Sequence, residues 1–268
     1  MMQYTFVTGA DDPEMELIER IVTEHGHAVI NAYVDGKRVQ SATAYSADEF
    51  RGGLPTETDR IVWVECGPVD PSQKRGIVVD HHNEGDPGYD CPPADFWKGS
   101  SLGQVCTLLG IEPTKDLLLA AASDHCLHAA YRGECPGVNP NELRSWRVTW
   151  RAQRHRMKKY QLVARINKAI KTIDELSAID FHGQKVLDAM NQSIPELMEA
   201  AAIQGKAVLY TYFDQSTQRT KVGLTGARPD VIAAWMQTIA QNDQVIRVYG
   251  NPHRGYAGAY LNPQIQLS

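Results

Sequence analysis

Two short β-branched runs that each end on an acidic residue constrain the fold of this chain most. They are Ile61-Val62-Trp63-Val64-Glu65 and Gly76-Ile77-Val78-Val79-Asp80. Runs of this length and composition predict strands that are buried on both faces, as in a parallel sheet. Open α/β sheets bind ligands in the crevice beyond the carboxyl ends of their strands. Because His81 and His82 directly follow the second run, we expect a functional site at this edge of the sheet.

The rest of the first half is compatible with the same class of fold. Tyr4 to Gly9 predicts a buried strand, Pro13 begins an amphipathic helix, and 28–34 predicts a further strand. The dipeptide Asp35-Gly36 could turn that strand into a hairpin, so a purely parallel sheet is not required. Further helices are expected from Ser100 and Pro113. The sequence therefore predicts an α/β protein whose first lobe is built mainly on a parallel sheet.

The second half begins with helical patterns and ends with strands. Residues 144–173 and 186–202 predict long helices, and the chain after Gly205 predicts strands around one helix. We therefore expect a first domain over 1–138, a helical linker over 139–203 and a smaller α+β C-terminal lobe over 204–268.

Composition narrows the function classes. A net charge of −5 argues against binding to long nucleic acid. The chain has no long apolar run and no signal-peptide pattern, and its five scattered cysteines favour reduced thiols, so a cytoplasmic location without membrane contact is expected. One stretch is strongly basic: ten of the 27 Lys and Arg residues lie between Arg144 and Lys171. It is interpreted as a solvated helix face, a wall that attracts a phosphorylated substrate, or a nucleic-acid-binding helix.

The triplet Asp80-His81-His82 suggests a metal site. Imidazole together with carboxylate suits Mn²⁺, Zn²⁺ or Fe²⁺, and a strand end holds such ligands rigidly. Further acidic residues follow other predicted elements at Asp11-Asp12, Glu65 and Asp124. Acidic groups from separate segments that meet at one sheet edge are typical of a two-metal hydrolytic centre.

These motifs resemble the DHH phosphoesterase superfamily, whose members hydrolyse phosphate esters and anhydrides. Asp80-His81-His82 matches the third motif of that family, and Asp124 stands where the fourth motif has an aspartate. The segment from Gly250 to Gly258 resembles the associated DHHA1 C-terminal domain, in which His253 would be the matching histidine. The resemblance covers nearly the whole chain.

The resemblance implies a ligand set, a catalytic pair and a substrate loop. The metal would be bound by Asp11, Glu65, Asp80, His82 and Asp124. His81 would stand near the phosphate and act with Asp80 in catalysis. The substrate would be held by Gly250, His253, Arg254 and Gly255, with the active site in the cleft between two lobes. The implied cofactor is one or two divalent ions, with Mn²⁺ favoured, and the implied substrate is a short oligonucleotide or a dinucleotide. A homodimer is compatible with this interpretation.

The first motif departs from the family pattern. Gly9 stands in place of a histidine and Pro13 in place of an aspartate, so two ligands would be missing. Asp12 or Glu14 could replace the carboxylate, and His125 or His128 could replace the imidazole. Alternatively, Asp11 and Asp12 only cap the following helix. The altered motif leaves a second hypothesis open, in which the protein binds a nucleotide without hydrolysis.

Overall fold

The computed structural model describes residues 3–57, 60–215 and 218–262, and the chain forms two compact units. The first unit ends at His125 and the second begins at Cys126. Helices and strands are mixed throughout, which confirms the predicted α/β class. The three domains predicted from the sequence, 1–138, 139–203 and 204–268, stay a prediction. Within the described ranges, no helix is long and apolar enough to cross a membrane.

The first unit contains one sheet and four α-helices in its described residues. Its strands are β1 (Thr5–Thr8), β2 (Ala28–Val34), β3 (Lys37–Arg38), β4 (Glu49–Phe50), β5 (Ile61–Val64) and β6 (Ile77–Val79). Its helices are α1 (Pro13–Glu24), α2 (Phe96–Gly99), α3 (Ser101–Leu109) and α4 (Lys115–His125). The strand order is β3-β2-β1-β5-β6, and β4 pairs with β2. The pairs β1–β2, β1–β5 and β5–β6 are parallel, whereas β3 and β4 run antiparallel to β2.

The central strands are buried on both faces, as their β-branched sequences predict. Val7, Ile61 and Trp63 pack in one apolar cluster on one side of the sheet. Trp63 is fully buried, and its indole N–H donates to the carbonyl of Arg75 (2.8 Å), so its polar atom is satisfied. Burial of these side chains fixes the register of β5, and thereby fixes the position at which Glu65 leaves the sheet.

Helix α1 begins where its sequence predicts. The Asp12 side chain accepts a hydrogen bond from the Met15 amide (2.8 Å), and Pro13 occupies the first turn, where a missing N–H costs nothing. Met15 and Ile18 recur at helical spacing and are fully buried. The N-terminal turn of α1 is therefore anchored by both a cap and an apolar face.

The second unit contains a second six-stranded sheet, in the order β11-β12-β10-β9-β8-β7. Its strands are β7 (Ala178–Phe181), β8 (Gln184–Ala189), β9 (Ala207–Asp214), β10 (Arg219–Thr225), β11 (Val245–Asn251) and β12 (Tyr256–Leu261). Its helices are α5 (Leu127–Tyr131), α6 (Pro140–Arg154), α7 (Lys159–Asp174), α8 (Leu197–Gln204) and α9 (Pro229–Ile239). All neighbouring strands are antiparallel except β8 and β9, which are parallel.

Two predictions of long helices in this unit differ from the structure. The helix expected over 144–173 is divided into α6 and α7, which are separated by residues 155–158. Residues 186–202 were expected to form a helix, but their first part belongs to β8, and α8 begins only at Leu197. The dipeptide His182-Gly183 explains the difference, because both residues have positive φ (49° and 69°) and form the tight turn of a β7–β8 hairpin. Val186 is buried in the apolar cluster on which Ile232 of α9 packs, so a strand is the state that tertiary packing favours.

Candidate metal centre

Three parallel strands end side by side at the candidate site. The amide of Gly9, just after β1, donates to the carbonyl of Val64 (3.1 Å), and the amide of Glu65 donates to the carbonyl of Val79 (3.0 Å). The residues that follow β1, β5 and β6 therefore meet at one edge, as expected for the carboxyl ends of parallel strands. The C-terminal end of α4 adds Asp124, and the first turn of α1 adds Glu14.

Four of these side chains form a compact cluster. One potential ligand atom from each of Glu14, Glu65, His81 and Asp124 lies within 4.8 Å of the others. His81 Nε2 is 3.1 Å from Asp124 Oδ2 and 3.3 Å from Glu65 Oε1. A second grouping joins Glu65 and His81 to His82, whose Nδ1 lies 4.0 Å from Glu65 Oε1. These groups can hold a metal ion, because buried imidazole and carboxylate ligands suit first-row divalent metals.

A short hydrogen-bond chain fixes the orientation of His81. His125 Nε2 lies 2.9 Å from the carbonyl oxygen of Cys91, and His125 Nδ1 lies 3.1 Å from His81 Nδ1. The carbonyl can only accept, so Nε2 of His125 carries a proton, and its Nδ1 in the neutral ring accepts from His81. His81 then presents the lone pair of Nε2 to Glu65 and Asp124. Metal-binding histidines commonly use their second ring nitrogen in this way.

Asp80 is oriented towards its own loop. Its Oδ1 accepts hydrogen bonds from the amides of His81 (2.8 Å) and His82 (3.1 Å), and its Oδ2 accepts one from the Tyr45 hydroxyl (2.9 Å). Burial alone would raise the pKa of Asp80, but the hydrogen bonds from His82 and Tyr45 hold it below its usual value. Asp80 thus stays ionised and shapes the turn that carries both histidines.

The other carboxylates are destabilised in their charged form. Burial raises the pKa of Glu65 to about 8, and Asp124 adds to this shift while His82 opposes it. Burial raises the pKa of Asp12 to about 6, with a further contribution from Asp124. Burial, followed by repulsion from Asp124 and Glu65, also raises the pKa of Glu14 well above its usual value. These groups therefore resist ionisation, and a bound cation would favour their charged forms.

Unsatisfied oxygen atoms support the same conclusion. Glu14 Oε1 accepts from the Leu102 amide (3.0 Å), whereas Glu14 Oε2 is buried and has no hydrogen-bond partner among the described residues. Glu65 Oε1 is also buried without a hydrogen bond, although His81 lies nearby. Buried carboxylate oxygens of this kind are rare unless a metal ion or water satisfies them. The donor set therefore fits a divalent cation.

The structure explains why Gly9 stands where the resembled family has the histidine of its first motif. A Cβ at this position would lie 2.5 Å from the carbonyl oxygen of Glu65, so a histidine cannot occupy it with this backbone. Asp11 is exposed and lies outside both groupings, while Asp12 caps α1. Glu14 projects its carboxylate into the cluster from the first turn of that helix.

Of the two histidines considered as replacements, only His125 lies at the cluster. His128 belongs to the second unit, where burial lowers its pKa to about 4 and its ring lies against Gly226. His125 contacts His81 rather than joining the carboxylates directly, and Gly99 leaves room for its ring, since a Cβ there would lie 2.6 Å from His125 Cε1.

The predicted substrate loop is a hairpin turn in the second unit. It connects β11 with β12 and contains His253, which is exposed, and Arg254, which is buried. The guanidinium of Arg254 lies over the Tyr256 ring, 5.2 Å from its centroid. Gly250 has φ of +143°, and a Cβ there would lie 2.5 Å from Cα of Ala257. The close approach of β11 to β12 therefore requires a glycine at this position.

Tyr45 and Gln104 are site residues that the sequence reasoning missed. Gln104 Nε2 donates to the carbonyls of Asp80 (3.1 Å) and Gly99 (2.8 Å), which ties α3 to the histidine loop. Tyr45 precedes β4 in a segment of turns without strand or helix periodicity. No motif identifies either residue. Their positions follow only from the tertiary fold.

Comparisons with known proteins identify no family. No family model matches the chain, and no curated protein matches it. Among solved structures, the chain is similar to a pGpG-specific phosphodiesterase, PggH from Vibrio cholerae, with 9% sequence identity and a TM-score of 0.37. The alignment covers 98% of this chain and 94% of that chain. A TM-score this low leaves the question of activity to the residues of the site.

Proposed function

We propose that the protein is a metal-dependent phosphoesterase that hydrolyses a small phosphodiester, such as a short oligonucleotide or a dinucleotide. The observation that carries this proposal is the buried cluster of Glu14, Glu65, His81 and Asp124, with ligand atoms within 4.8 Å of one another. Burying these carboxylates close together costs free energy unless a cation is bound. His81 brings into the cluster the Asp-His-His turn that resembles the phosphoesterase motif.

The proposed ligands are Glu14, Glu65, His81 and Asp124, with His82 at the open side. A divalent ion held there would lower the pKa of a bound water and offset charge on the phosphoryl oxygens. His81 is fully buried, so we assign it to the metal rather than to the substrate. The His82 side chain is 38% exposed and is the imidazole that substrate can reach. We expect Mn²⁺ because it accepts mixed nitrogen and oxygen ligands.

Asp80 is proposed as a positioning residue. Its carboxylate is occupied by hydrogen bonds from the histidine loop and from Tyr45, and it belongs to neither potential ligand group. A well-satisfied buried carboxylate of this kind holds its neighbours in place, as outer-shell partners do around metal sites. We propose that it sets the directions of His81 and His82. In the second unit, His253 is the member of the proposed substrate loop whose side chain is exposed.

A second function is favoured by one specific observation. Gly9 and Pro13 stand where the resembled family has two metal ligands, so both ligands are missing from this chain. The backbone at Gly9 leaves no space for a histidine. Under this alternative the cluster holds an ion and a nucleotide without cleavage. Both hypotheses predict metal binding, but only the first predicts turnover.

The test is calorimetric titration of metal-stripped protein with Mn²⁺, followed by turnover of a linear dinucleotide. The wild-type protein should bind Mn²⁺ and release mononucleotides, whereas His81→Asn and Glu65→Gln should lose both properties. His182→Asn and Glu112→Gln are matched controls, because both residues are exposed and lie outside the cluster. Binding without turnover would support the alternative function. Turnover that persists in His81→Asn would contradict the assigned site.

A further inference from the structure

The second unit carries a series of adjoining cavities along α6 and α7. The first has a volume of about 1100 Å³, and it shares the loop 192–195 with a second cavity of about 780 Å³. It also shares His155 with a third cavity of about 680 Å³, and Arg165 borders both the second and the third. The three cavities thus adjoin one another through shared lining residues. We call the surface that they line the basic groove.

The charge of this groove is positive because its cations outnumber its carboxylates. Its outer walls carry Arg156, Arg165 and Lys168, which are exposed and form no ion pair with any described residue. No Asp or Glu occurs from Leu143 to Ile173. The acidic residues of the wall, Glu196 and Glu199, are already held by arginines of α6. The exposed basic residues on the same segment also include Lys158, Lys159 and Lys171.

Exposed aromatic side chains line the same groove. Tyr160 is 66% exposed and borders the third cavity, while Tyr212 is 47% exposed and borders the first. Large aromatic side chains are usually buried, so two exposed ones at one groove indicate a surface for a planar ligand. Asn191 and Gln192 also line the first cavity and carry amide side chains that can hydrogen-bond.

We propose that the basic groove binds a short single-stranded nucleic acid. Proteins that bind single strands without sequence preference combine a cationic track for the phosphates with aromatic side chains on which unpaired bases stack. The groove has both features on one unit, and its aromatic groups stand at separate cavities. A duplex would hide the bases from them. The choice of nucleic acid as the anionic ligand of the groove rests on the proposed function. Binding in the basic groove does not depend on the metal centre.

The test is fluorescence anisotropy with the full chain and a labelled single-stranded oligonucleotide of about eight nucleotides, within the size range of such sites. Chelator is present throughout, so that hydrolysis cannot occur and the result is independent of the metal experiment. Affinity is measured over a salt series. The variants are Arg165→Gln/Lys168→Gln and Tyr160→Ala. The control is Lys185→Gln/Arg247→Gln, which removes the same charge from exposed sites outside the groove.

The two kinds of variant should fail in different ways. Loss of two phosphate contacts should reduce the slope of log affinity against log salt by about 1.4, since each contact to a single strand contributes about 0.7. Tyr160→Ala should weaken oligonucleotide binding roughly tenfold by removing one stacking contact. It should leave the binding of inorganic polyphosphate, which has no bases, unchanged. The control pair should resemble the wild-type protein.

Several results would overturn the proposal. One is absence of oligonucleotide binding at low salt, and another is equal loss in the groove and control variants. Duplex binding as tight as that of the single strand would show that stacking plays no part. Binding to vesicles of anionic phospholipid without binding to the oligonucleotide would assign the groove to a membrane surface instead.

Discussion

Replacing Glu65 with glutamine should make the metal-free protein more stable while it removes metal binding. Burial, aided by Asp124, raises the pKa of Glu65 from 4.5 to about 8. Between these two values the folded chain keeps a proton that the unfolded chain has released, so stability falls as pH rises through this window. Each pH unit costs about 1.4 kcal/mol, which amounts to a loss of about 3 kcal/mol at pH 7. Glutamine, which does not ionise, avoids this loss.

The assay is thermal unfolding in chelator at several pH values between about 5 and 8, for the wild-type protein, Glu65→Gln and Glu112→Gln. At neutral pH, Glu65→Gln should melt roughly 10 to 15 °C above the wild-type protein, as about 3 kcal/mol implies for a unit of this size. Exposed Glu112 serves as the control and should leave the midpoint where it was. The midpoint of the wild-type protein should fall as pH rises, and that of Glu65→Gln should fall less.

Addition of Mn²⁺ completes the experiment. At one hundred times its dissociation constant, the ion should stabilise the wild-type protein by about 2.7 kcal/mol and should not stabilise Glu65→Gln. A Glu65→Gln midpoint at or below that of the wild-type protein, at neutral pH in chelator, would refute the raised pKa of Glu65. An equal rise of the two midpoints with Mn²⁺ would show that the ion binds without this carboxylate.

Three further predictions concern residues around the site and in the second unit. Tyr45→Phe removes the hydroxyl that donates to Asp80, and should lower Mn²⁺ affinity about tenfold in titration calorimetry while unfolding stays cooperative. His125→Ala should weaken Mn²⁺ binding between about 10- and 100-fold, whereas His125→Asn, which can still hydrogen-bond, should weaken it less. Glu199→Gln should lower the free energy of unfolding by about 3 kcal/mol in denaturant titrations, because Arg147 would be left without its buried partner; an unchanged midpoint would show that the pair is not stabilising.

The strand ends of the first unit could be predicted from the sequence, but the ligand geometry could not. The β-branched runs before Glu65 and Asp80 place both residues at one edge, and the structure has β5 and β6 as parallel neighbours there. The distinction between Asp11 and Glu14 depends on how the first turn of α1 faces the sheet. One residue of rotation moves a side chain by about 100° around a helix, so spacing alone does not decide it.

The contacts made by loops and hairpins could not be predicted from the sequence for a different reason. Tyr45 reaches Asp80 from a segment without periodicity, so its role depends on contacts across 35 positions of sequence. The β8 strand was mistaken for a helix because its apolar residues follow no clear alternation. Its pairing with β7 and β9 overrides local propensity, which is a common outcome for strands.

Gly9 and Glu65 also restrict which sequences this backbone can accept. The carbonyl of Glu65 occupies the space that any Cβ at position 9 would need, and Glu65 itself has positive φ (51°). A histidine could therefore be introduced at position 9 only together with a new path for the chain after β5. Neither change is useful alone, because the first produces a clash and the second moves a buried carboxylate away from the cluster. Directed evolution of this protein should accordingly leave position 9 as glycine unless the 64–67 segment is randomised in the same library.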